Sequence, residues 1–104
     1  MGKISDEALL TQLGFNLNEG ILDDLKRVIR STAGYEEIKK HIVTLNETIK
    51  SYGSHVGLSS SSNYFKIKNA DYSKEHIEKW ADKYKVSLIK VANSNTYYIA
   101  GKES

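Results

Sequence analysis

Apolar residues recur every three to four positions through the first half of the chain and gather into short alternating runs in the second. Ser5 reads as an N-cap, and Asp6 and Glu7 favour the positive end of the helix that follows. Ala8, Leu9, Leu10 and Leu13 form its apolar side, and Gly14 ends it. Phe15 and Leu17, in the next connection, are expected to plug the core. Asn18 caps a second helix whose stripe of Ile21, Leu22, Leu25, Val28 and Ile29 is one helical face. After the weak break Ser31-Thr32-Ala33-Gly34, a third helix is predicted from Tyr35 to Tyr52. Its apolar positions Ile38, Ile42, Leu45, Ile49 and Tyr52 are spaced 4, 3, 4, 3. That is a heptad seam, narrower than an ordinary core face. It suits packing within the chain and self-association equally.

Residues 51–63, SYGSHVGLSSSSN, interrupt this pattern with two glycines, six serines and no acid, lysine or arginine. The composition is that of a flexible connector, although unstructured loops of this length are often functional. Tyr64 to Lys68 then alternates at period two and reads as a strand. Ser73 is expected to cap a helix in which Ile77, Trp80, Ala81 and Tyr84 share one face. Val86–Val91 and Thr96–Ala100 are β-rich runs. Ala92-Asn93-Ser94-Asn95 joins them, and its asparagines tolerate the positive φ of a tight hairpin. The fold class is therefore α+β. Three helices span residues 1–52, a Gly/Ser-rich connector spans 53–63, and a β-α-β-β unit with a small three-stranded sheet spans 64–104.

Alternation assigns the sheet faces. Phe65, Ile67, Ile89, Val91, Tyr97 and Ile99 are expected inside, under the helix that carries Trp80. The other face then shows Tyr64, Lys66, Lys68, Val86, Leu88, Lys90, Thr96 and Tyr98. Exposed aromatics interleaved with lysines stack unpaired bases and neutralise phosphates. Tyr64, Lys66, Lys68, Lys90 and Tyr98 are thus the candidate residues for nucleic acid or another partner. Val86 and Leu88 on the same face argue that it is covered instead.

A chain of 104 residues has room for one modest core. With no cysteine it has no disulfide, thiolate nucleophile or Cys-ligated zinc. No apolar run approaches the roughly 20 residues of a membrane span, and MGKISDEALL is too polar for a signal peptide. A cytoplasmic protein with no membrane partner is expected. The net charge is +2, with seven Lys/Arg against eight Asp/Glu in residues 1–52 and eight against five in 53–104. This permits a basic patch but falls short of the excess usual in a strong nucleic-acid binder. Residues 6–34 also fail as a DNA-reading helix-turn-helix. The FNLNEG connection is long, and Asp23 and Asp24 would face the phosphates.

His41, His55 and His76 match no metal spacing, and no nucleophile elbow or phosphate-binding glycine loop occurs. A His55–serine pairing within the connector lacks an orienting acid. Neither cofactor nor metal nor catalysis is expected. The residues suggest a small binding module that dimerises through Ile38, Ile42, Leu45 and Ile49. It would act as a regulatory protein that contacts nucleic acid, or as an adaptor or inhibitor of a protein partner.

Overall fold

Three helices come first, as the apolar stripes require, in the computed structural model, which describes residues 4–103. Met1–Lys3, the beginning of the polar opening stretch, lie outside the described residues, as does Ser104. The helices are α1 (Asp6–Gln12), α2 (Glu19–Ser31) and α3 (Tyr35–Ile49). Ser5 Oγ accepts the Ala8 amide at 3.1 Å and Asn18 Oδ1 accepts the Ile21 amide at 2.9 Å. Each cap satisfies a donor that the first helical turn leaves without a partner. Phe15 packs against the core, but Leu17 is exposed and plugs nothing. α3 is shorter than its seam predicts. Lys50–Tyr52 tightens into a 3-10 turn, which Gly53 closes at φ 81°.

α3 is enclosed on several sides. It touches α1, a fourth helix α4 (Lys74–Tyr84), and the strands β1 (His55–Gly57) and β4 (Tyr97–Lys102). Ile38, Ile42, Leu45 and Ile49 are each 2% exposed or less. The seam is therefore used inside the chain, which corrects its reading as a surface between copies. Its apolar area cannot be withdrawn from this core without losing roughly 1.5–3 kcal/mol per side chain.

The sheet has four antiparallel strands in the order β1-β2-β4-β3, with β2 at Phe65–Lys68 and β3 at Val86–Lys90. One more strand forms than was predicted, because β1 lies inside the serine-rich segment. Its signal in the sequence is a single inward residue, Val56, whose amide donates to the buried Asn46 Oδ1 at 2.8 Å. Helical and sheet residues share one core cluster. Ser73 does not cap α4 with its side chain. Ser54 Oγ donates to the Asn69 carbonyl at 2.5 Å, so Ser73 Oγ is the donor in the buried 2.6 Å pair that joins the two serines. Among the described residues no buried side-chain N or O lacks a partner, and no helix is long and apolar enough to cross a membrane.

The register of β3 decides what each face carries. Leu88 pairs with Ile99 and Ser87 with Gly101, so Ala100 has no counterpart and β4 bulges. Val86 and Leu88 consequently turn inward, while Ile89 pairs with Tyr98 and faces out. This reverses the expected orientation of β3. Beyond the bulge Ala33 bridges to Gly101, and the Lys102 amide donates to the Ala33 carbonyl at 2.7 Å. A Cβ on Gly101 would meet the Ala33 backbone, 2.6 Å from its carbonyl oxygen, at a φ of 132° that side chains rarely adopt. Gly101→Ala is expected to cost about 2 kcal/mol or more in urea unfolding, from strain and clash together. Gly14→Ala, where no atom lies within 4 Å of the added carbon, should cost clearly less.

Candidate functional site

The outward sheet face is built by pairing across the two central strands. Lys66 on β2 stands opposite Tyr98 on β4, and Tyr98 stands opposite Ile89 on β3. Lys66 Nζ lies 5.9 Å from the Tyr98 ring centroid, within reach of a cation–π contact. Tyr64 enters beside them, its ring centroid 6.0 Å from that of Tyr98 with 30° between the planes. Lys68 completes the patch at the end of β2, opposite His55 on β1. Tyr64, Lys66, Lys68 and Tyr98 thus share one face with the helices behind them. Ile89, which alternation alone placed inside, joins them and is 43% exposed.

Lys90 does not belong to this group. It pairs with the inward Tyr97, its Nζ 5.8 Å from that ring, and donates to the carbonyls of Val91 and Ser94. Its role is to close the β3–β4 hairpin loop. The loop is tied down further by the Ala70 amide, which donates to the Asn95 carbonyl at 2.9 Å, and by Asn95 Nδ2 donating to Asp71 at 2.9 Å.

The serine segment is also anchored, through a residue that periodicity could not single out. Arg27 on α2 donates to the Ser59 carbonyl at 2.6 Å and to the Ser62 carbonyl at 2.9 Å, while Asp24 steadies its guanidinium at 3.1 Å. This clamp holds the β1–β2 loop just before Tyr64. The histidines are dispersed. His41 stacks on Tyr84 at 3.8 Å, His76 stacks on Tyr52 at 4.7 Å, and His55 is exposed on β1. Ser54, the serine next to His55, points to the interior and is engaged by Ser73. Among the described residues no three His, Cys, Asp or Glu side chains converge as metal ligands. No family model, curated protein or solved structure matches the chain, which leaves the geometry to speak for function.

Two expectations follow from these contacts. Arg27→Ala removes charge-assisted bonds worth about 1.5–3 kcal/mol each at most. Amide exchange across Ser59–Tyr64 should accelerate while α3 stays protected. The Tyr97 hydroxyl, buried and donating to Glu78 at 2.9 Å, has its pKa pushed up to about 12, by burial first and then by the carboxylate. The unfolded chain loses that proton near pH 10, so between about pH 10 and 12 the native state binds more protons and stability falls as pH rises. Tyr97→Phe should flatten this alkaline slope in part. Burial and Asp6 push Tyr35 up as well, so some slope persists.

Proposed function

We propose that this chain is a small non-catalytic binding module, acting in regulation, that contacts single-stranded nucleic acid through its outward sheet face. The observation that supports this best is the proximity of the Tyr64 ring, which enters just before β2, to the Tyr98 ring on β4, with Lys66 and Lys68 beside them. Side-by-side rings on a sheet offer stacking platforms to unpaired bases, each worth about 1–3 kcal/mol by alanine substitution. The lysines supply phosphate contacts on the same surface. A single strand suits the site better than a duplex, whose bases present no free faces to tyrosine.

A protein partner on the same face is the second reading, and Ile89 is the reason to keep it. A half-exposed isoleucine beside two tyrosines is an apolar anchor that nucleic acid does not need.

Salt separates the two. For a single strand, log affinity falls linearly with log salt, with a slope of about −0.7 per phosphate neutralised. Lys66→Glu with Lys68→Glu should weaken binding of a single-stranded oligonucleotide roughly tenfold or more and make the slope shallower by about 1.4. Tyr98→Ala should weaken it at every salt concentration. Affinity unmoved by either change in fluorescence anisotropy titrations would remove the nucleic-acid reading.

A further inference from the structure

The opposite side of the molecule carries a second surface, independent of the sheet face. α3 and α4 leave between them a groove of about 260 Å³. Leu45 and Trp80 form its floor, and both are buried. Lys79, Lys83 and His76 stand along its α4 rim, with Tyr84 at one end. The stacked pairs His41–Tyr84 and Tyr52–His76 mark its two ends. Along α4 the groove runs from His76 to Tyr84, roughly 12 Å at the helical rise, about two turns of a helix laid alongside.

The charges of α4 are sorted. Lys79 and Lys83, four residues apart, line this groove, whereas Glu78 and Asp82, also four residues apart, line the opposite flank against β3. Like charges at that spacing oppose helix formation. Glu78 is used within the fold, where it accepts the Tyr97 hydroxyl, and Lys83 Nζ lies 5.3 Å from the Tyr84 ring. Among the described residues, neither lysine is in a salt bridge. Glu75, one turn before Lys79, lies outside the lining. Positive charge dominates at the Tyr84 end too. Burial, then Lys40, Lys102 and Lys83, hold the His41 imidazole below the ordinary histidine range.

We propose that the α3–α4 groove receives an acidic amphipathic helical segment of a partner protein. Apolar side chains of the segment rest on Leu45 and Trp80, and its carboxylates meet Lys79 and Lys83. A groove between two helices accepts a third helix as ridges into grooves; here Thr44 and Thr48 line it beside Leu45 and Trp80, and the basic rim sets its charge.

A random peptide library displayed on phage and selected on the intact chain tests this. The enriched peptides should be acidic, with apolar residues at helical spacing. Synthetic versions should shift the fluorescence of Trp80, the chain's one tryptophan. Lys79→Glu with Lys83→Glu should weaken them roughly tenfold or more, and Lys79→Gln with Lys83→Gln by less, both with an unchanged circular dichroism spectrum. Lys66→Glu with Lys68→Glu should leave them untouched, so this result and the sheet-face result can fail separately. Failure to enrich any peptide, enrichment without acidic bias, or affinity indifferent to Lys79 and Lys83 overturns the proposal. So does binding of single-stranded DNA through those two lysines in place of peptide.

Discussion

The structure depends on the enclosure of α3. This helix turns an apolar side toward α1, toward α4 and toward the sheet, which α4 also covers. Its buried positions exceed the seam of Ile38, Ile42, Leu45 and Ile49 and include Tyr35, Val43 and two polar residues, Lys39 and Asn46. Polar groups at such depth are tolerable only with partners. Asn46 accepts the Val56 amide, and Lys39 Nζ lies 2.9 Å from Glu36 and 3.6 Å from Asp6. The Tyr35 hydroxyl donates to the same Asp6 at 2.9 Å while its ring stacks against Phe65 of β2. α3 thus holds α1 by polar contacts at its beginning and orders the edge strand β1 by one near its end. A helix occupied in this way has no seam left for a second copy.

The sheet's two characters follow from that enclosure. The inner face must meet α3 and α4, so Phe65, Ile67, Ile99 and Val86 are consumed there. The bulge at Ala100 lets β4 serve two neighbours. Before it, alternation places Tyr98 outward. After it, Lys102 turns toward α3, with Nζ 3.7 Å from Glu37. Gly101 passes against Ala33 where a side chain would not fit. The hairpin register, Leu88 with Ile99 and Ile89 with Tyr98, fixes which residues of β3 reach solvent, and with them the composition of the candidate site.

Much of this was legible in the sequence. The helices, two of the caps, the hairpin loop and the inward residues of β2 and β4 follow from period and turn chemistry. Lys66, Lys68, Tyr64 and Tyr98 share a face because period two leaves them no other choice once Phe65 and Ile67 are buried. β3 was not legible in this way. Val86, Leu88, Ile89 and Val91 are apolar at both parities, so alternation cannot say which side faces in, and Lys90 was assigned with the wrong set. β1 was hidden for a different reason. A three-residue strand has too little pattern, and its order comes from Asn46, a residue ten positions away on a helix. The seam carried a true signal of burial, but spacing alone does not distinguish a partner within the chain from one outside it.

Arg27 connects these points to the proposed site. A serine-rich segment of this composition would ordinarily roam, and the ordering entropy of its residues would oppose any surface built beside it. Here one guanidinium from α2 gathers two carbonyls of the loop, and Ser62 receives the Tyr64 amide at 3.1 Å. Tyr64 therefore reaches the sheet already positioned next to Tyr98. A stacking pair set before its ligand arrives loses less freedom on binding than one that must be assembled. The helical half contributes to the sheet face without touching it, by holding still the loop that delivers one of its two rings.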